Sequence, residues 1–112
     1  MEENIEFLLS FLETNKAKDI ALFGTKDYKG EEEYIMLANF SSTQENKAFA
    51  DLFMQKLGLE DFPEGYNKGE WIIFVLDGLL LHTFIPSKRE KYNLDKLYQN
   101  LKVNLKQKKS KK

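Results

Sequence analysis

Two residues suited to chemistry or recognition each occur once in this 112-residue chain, and both lie in the stretch GEWIIFVLDGLLLHTF, Gly69 to Phe84. His82 follows Trp71 by eleven residues. An imidazole acting as a base needs a nucleophile to activate, and no Ser or Cys stands at an identifiable spacing from it. His82 therefore reads as a residue that shapes a sheet face, and no catalytic residue is assigned. The chain has no cysteine, which excludes disulfides and thiolate metal sites. With a single histidine, a zinc ion would need carboxylates for nearly every ligand, so neither a metal nor another cofactor is expected.

Gly24-Thr25 followed by Glu31 and Glu33 faintly resembles the nucleotidyltransferase arrangement, in which a glycine turn holds phosphates and two carboxylates hold magnesium. That chemistry needs carboxylates on a strand facing one pocket, whereas Glu31, Glu32 and Glu33 read as a run in a polar loop. A solvated charge cluster is the simpler assignment. Charge is also uneven along the chain. Lys102 to Lys112 holds six of the 17 basic residues and no acid, which leaves the preceding residues near −7. A polyanion would therefore be met by this tail, through Lys106, Lys108, Lys109, Lys111 and Lys112, by counterion release without sequence reading, although composition alone fits a disordered solubilising end equally well.

The elements that must position these residues follow from periodicity. Ile5, Leu8, Leu9 and Leu12 share one face of a first helix ending near Asn15, widened by Phe7 and Phe11. KDIALFG reads as a short buried strand stopped by Gly24, TKDYKGEEE as a polar loop, and YIMLANF as a second strand. Ser42 and Glu45 form a capping box for a helix that buries Ala48, Phe49, Leu52, Phe53 and Leu57 and ends at Gly58. Asp77-Gly78 is the two-residue loop of a hairpin, expected as a type I′ turn, that pairs Leu76 with Leu79, Ile73 with His82 and Trp71 with Phe84. REKYNLDKLYQNL predicts a short C-terminal helix with Asn93 as a possible N-cap.

A strand, a helix and a strand in that order favour a parallel crossover, and the hairpin adds antiparallel pairing. The expected fold is a mixed α/β sheet flanked by helices, one domain over residues 1–101 with a Lys-rich, flexible tail at 102–112. The longest apolar runs are too short to span a bilayer, and the acidic amphipathic start is unlike a signal peptide, so a cytoplasmic protein with no membrane partner is expected.

Taken in order, these segments resemble the ribosomal silencing factor family, RsfS or Iojap. The matching pieces are KAKDIALF at Lys16 to Phe23, Glu33-Tyr34 before IMLA, Gln44 ahead of KAFAD at Lys47 to Asp51, GEW at Gly69 to Trp71, His82, and REKYNLDKLY at Arg89 to Tyr98. The chain departs from the family pattern at Asn39 to Ser41, at Val75 to Gly78, at Asn93 and at Tyr98, as a divergent member would.

The resemblance implies a nucleotidyltransferase-like fold without catalytic carboxylates. It also implies a non-enzymatic translation regulator that binds a large-subunit ribosomal protein at the subunit interface and blocks joining of the small subunit when nutrients are scarce. Carried over by position, Trp71, Arg89, Glu90, Tyr92 and Leu94 are the expected partner contacts, with His82 and Phe84 beside them. Trp, Tyr and Arg are also the types that dominate interface energetics. The tail would touch ribosomal RNA, and off the ribosome the chain would be a monomer or a homodimer. The alternatives are a nucleotidyltransferase-like enzyme, marked by magnesium-dependent nucleotide binding, and a nucleic-acid-binding adaptor, marked by RNA binding without ribosomal protein.

Overall fold

The computed structural model describes residues 2–103 and 105. In chain order these form α1 (Glu2–Thr14), β1 (Lys18–Lys26), β2 (Glu32–Asn39), α2 (Thr43–Leu57), β3 (Trp71–Leu76), β4 (Leu79–Phe84), α3 (Pro86–Tyr92), α4 (Leu94–Leu97), a 3-10 turn (Gln99–Leu101) and β5 (Lys102–Val103). The strands make a single mixed sheet in the order β3-β4-β2-β1-β5. β2 and β4 pair in parallel, as the crossover requires, and the other pairings are antiparallel.

Alternation along each strand gives the sheet two different faces. One carries Leu22, Met36, Ala38, Ile72, Phe74, Leu79 and Leu81, and it is covered by Ile5, Leu8, Leu9 and Leu12 of α1 and Phe49, Ala50, Phe53 and Met54 of α2. Phe49, Phe53 and Phe74 stack within this layer, with Phe53 meeting Phe74 edge-on at 5.0 Å between centroids. The other face carries Ala21, Phe23, Leu37 and Phe84, packed against Ile35, Trp71, Leu94 and Tyr98. Trp71 therefore lies on the face away from α1.

The hairpin register agrees with the sequence reading at every pair from Trp71↔Phe84 to Leu76↔Leu79. The turn is not type I′, because only Gly78 takes a positive φ, 74°, and Asp77 does not. β1 does not stop at Gly24 but runs to Lys26, and the loop expected over Thr25 to Glu33 shrinks because Glu32 and Glu33 open β2. Asp27 makes this short reversal possible by accepting the backbone N–H groups of Lys29 and Glu31 with its carboxylate, at 2.8 and 2.9 Å.

α2 is capped as expected at both ends. Ser42 Oγ accepts from the Glu45 N–H at 3.1 Å, and Gly58 closes the helix in the left-handed conformation. The Glu45 carboxylate reaches the N–H of Ser41, one residue earlier than the capping box predicts. Its buried stripe is Asn46, Phe49, Ala50, Phe53 and Met54, whereas the expected Ala48, Leu52 and Leu57 are exposed. Asn46 explains the rotation. Its amide donates to the carbonyls of Gly69 and Thr83, at 2.9 and 3.1 Å, and so fixes both sides of the entry to the hairpin.

The C-terminal helix is two short ones. Asn93 adopts a left-handed conformation, φ 49° and ψ 52°, which ends α3, and its side chain then caps α4 by accepting from the Lys96 N–H. Lys102 and Val103 pair with Phe23 and Leu22 of β1, so the sheet extends past the expected domain end at Leu101. Replacing Asn46 with Ala should strand the Gly69 and Thr83 carbonyls and lower the unfolding free energy by about 1–3 kcal/mol in urea denaturation; an unchanged midpoint would contradict this role.

Candidate partner-binding site

The candidate residues converge where α3 crosses the second sheet face. Pro86 begins α3 directly after β4, its fixed φ and missing N–H suiting the first helical position. Arg89 then turns back onto the sheet. Its Nε and Nη2 donate to the two carboxylate oxygens of Asp95 at 2.7 and 2.8 Å, and Nη1 donates to Asn39 Oδ1 at 2.9 Å. The fork-to-fork geometry makes this a charge-assisted pair, and the hydrogen bonds from Arg89 hold the Asp95 carboxyl below its ordinary pKa against the opposing effect of burial. The guanidinium also lies 6.0 Å above the Phe84 ring.

This clamp sets the register of α3 so that Tyr92 packs on Trp71 with centroids 4.9 Å apart. Trp71 in turn stacks on Phe84 at 5.1 Å, and its indole Nε1 donates to His82 Nδ1 at 2.9 Å. Lys88 and Lys91 each place Nζ 5.6 Å from the Tyr92 ring, and Lys88 pairs with Glu70 at 3.5 Å. Beside this stack opens a cleft of about 500 Å³, with Phe62, Pro63 and Tyr66 on one wall and Trp71 and Tyr92 on the other.

The structure thus brings Trp71, His82, Phe84, Arg89 and Tyr92 together but gives them different roles. His82 and Phe84 are 6 % and 0 % exposed, so they lie under the patch and hold Trp71 instead of meeting a partner directly. The Arg89 side chain is 11 % exposed and engaged inward. Leu94 is half-buried against the second-face cluster. Tyr92, 47 % exposed, the half-buried Trp71 and the exposed Glu90 are the members a partner can reach. Lys106, Lys108, Lys109, Lys111 and Lys112 lie outside the described residues.

The loop wall was not legible as part of this site. Gly65 is what lets it approach: φ is 85°, and a Cβ there would collide with the Trp71 carbonyl oxygen. Tyr66 ties the loop to α2 by donating to Asp51 at 2.8 Å, and Phe62 packs on Tyr66 at 4.7 Å between centroids. The aromatic pair four residues apart in a Pro- and Gly-containing loop is the signal that could have marked it. Among the described residues, no group of three or more His, Asp or Glu side chains is placed to hold a metal ion. Glu31, Glu32 and Glu33 are exposed.

Burial pushes the His82 pKa down from 6.5 to about 4. The neutral ring, accepting from Trp71 at Nδ1, carries its proton on Nε2. Because the folded pKa lies below the ordinary value, the stabilisation tied to the neutral ring is complete above pH 6.5 and is lost as pH falls from 6.5 toward 4. NMR titration of this single imidazole should give a midpoint near 4; a midpoint near 6.5 would contradict the buried, indole-bonded geometry.

The family model described as "Ribosomal silencing factor during starvation", RsfS, matches residues 1–112. The chain is 30% identical over 98 residues to the ribosomal silencing factor RsfS of Haemophilus influenzae, an alignment covering 84% of this chain and 96% of that one. It is 26% identical over 102 residues to the RsfS of Chromobacterium violaceum, covering 88% and 84%. A solved structure of a C. violaceum protein superposes with a TM-score of 0.72 at 23% identity, over 92% of this chain and 89% of that one. One from Bacillus halodurans superposes at 0.69 and 23% identity, over 93% and 99%. With the fold, the order of its motifs and the family match in agreement over its length, this chain belongs to the RsfS family of ribosomal silencing factors.

Proposed function

We propose that the chain silences translation by seating its Trp71–Tyr92 patch on a protein of the large ribosomal subunit, at the face where the small subunit joins. The bound factor then blocks joining by its bulk, in the cytoplasm and without catalysis. The observation that carries this reading is the half-exposed Tyr92 stacked on Trp71 beside a cleft of about 500 Å³. An aromatic pair already packed in place loses little side-chain freedom on binding, and buried Trp and Tyr at a patch centre are the usual energetic anchors. Glu90 lies on the exposed side of the same helix and offers a rim charge.

The Lys-rich tail supplies a second, sequence-independent contact with ribosomal RNA through Lys106, Lys108, Lys109, Lys111 and Lys112. The recognition patch and the tail separate by their salt response. Trp71→Ala combined with Tyr92→Ala should weaken binding to purified large subunits at least about 30-fold, with the salt slope unchanged. Ending the chain at Leu105 should weaken binding and flatten the slope. Wild-type affinity in the folded double variant would refute the patch, and an unaltered slope in the shortened chain would refute the RNA contact.

A further inference from the structure

β3 is an edge strand, and its outer side is only partly covered. The hairpin ladder alternates, so Leu76, Phe74 and Ile72 exchange bonds with β4 while the backbone groups of Trp71, Ile73 and Val75 point away from it. The chain itself occupies the first part of this edge. Gly65 lies against the Trp71 carbonyl, and the Ile73 N–H donates to the Glu64 carbonyl at 3.0 Å in an isolated antiparallel bridge. That bridge is one residue long. Beyond it the loop stands off, and a cleft of about 300 Å³ separates Glu60, Asp61 and Glu64 from Ile73 and Val75.

Val75 is 79 % exposed, and its outward N–H and C=O have no backbone partner among the described residues. Open strand edges are ordinarily guarded by Lys, Pro or a bulge, and Val75 is none of these. Among the described residues no Lys or Arg lines the cleft, and three acidic residues, Glu60, Asp61 and Glu64, line it together with Ile73 and Val75. Unpaired strand groups with an apolar floor select an extended peptide, and the carboxylates select its charge.

We infer that the outer edge of β3 at Ile73 and Val75 takes up an extended Lys- or Arg-rich segment of a partner protein as a further strand. Continuing the pairing begun by Glu64, the segment accepts from the Val75 N–H and donates to the Val75 carbonyl, the Ile73 groups being already bridged to Glu64. Its basic side chains meet Glu60, Asp61 and Glu64. This surface is separate from the Trp71–Tyr92 patch, so it stands or falls independently of the ribosomal reading.

The test uses the full chain with a short alternating Lys-Val peptide as the probe, followed by amide exchange and by fluorescence anisotropy of the labelled peptide. Saturable binding should slow exchange of the Val75 amide at least about tenfold. An alternating Glu-Val peptide should not bind. Val75→Pro, which removes the outward N–H at an edge position that tolerates proline, should abolish binding, and Glu60→Lys with Asp61→Lys at exposed positions should weaken it about tenfold. Unchanged Val75 exchange at saturation would overturn the proposal. So would equal binding of a Lys-rich peptide with prolines at alternate positions, which would show charge attraction without strand pairing. Self-association of the free chain that already protects Val75 would give the edge to a second copy and overturn its assignment to a separate partner.

Discussion

The structure depends most on one side chain, Arg89. α3 and α4 together span Pro86 to Leu97 with a break at Asn93, and neither is long enough to persist in water without tertiary support. Arg89 joins them by gripping Asp95 beyond the break, and it joins both to the sheet through Asn39 at the end of β2. A largely buried guanidinium is costly unless its donors are satisfied in good geometry, and here three of them are. The same contacts that satisfy the charge determine where Tyr92 sits. Trp71, anchored from below by Phe84 and His82, then receives Tyr92 from above.

This division of labour follows from how unequally the two sheet faces are covered. α1 and α2, with 13 and 15 residues, cover the first face with a continuous aliphatic and aromatic layer. Among the described residues the second face receives only α3, α4 and a 3-10 turn, so its covering is short and leaves aromatic surface half-exposed at the rim. The proposed patch rests on strands whose register is fixed by burial of the opposite face. That is a rigid support for a binding surface, and it limits the entropy lost when a partner arrives.

Much of this was legible in the sequence where local chemistry decides the outcome. Asp77-Gly78 fixed the loop length, and from it every cross-strand pair of the hairpin could be counted, including the meeting of Trp71 with Phe84. Ser42 and Gly58 marked the ends of α2 because capping is a property of a few adjacent groups. The errors arise where a distant partner overrides the local pattern. Gly24 looks like a strand terminator, yet it continues β1 opposite Tyr34, whose ring lies close against it. The stripe on α2 was misplaced because a count of apolar residues passes over Asn46, which is buried for its two hydrogen bonds. Alternation places His82 and Phe84 on the same face as Trp71, but it does not reveal that both are buried. The Phe62–Tyr66 wall was missed for the same reason, since its place beside Trp71 depends on the close approach at Gly65.

The function proposed above reduces to one physical claim, that a small folded body held on the large subunit keeps the small subunit away. The most direct measurement is gradient sedimentation of purified ribosomal subunits with this protein, at magnesium concentrations that normally allow joining. The protein should migrate with the large subunit, and the joined-ribosome peak should fall as protein is added. Protein that remains at the top of the gradient, with the joined peak undiminished, would contradict this claim.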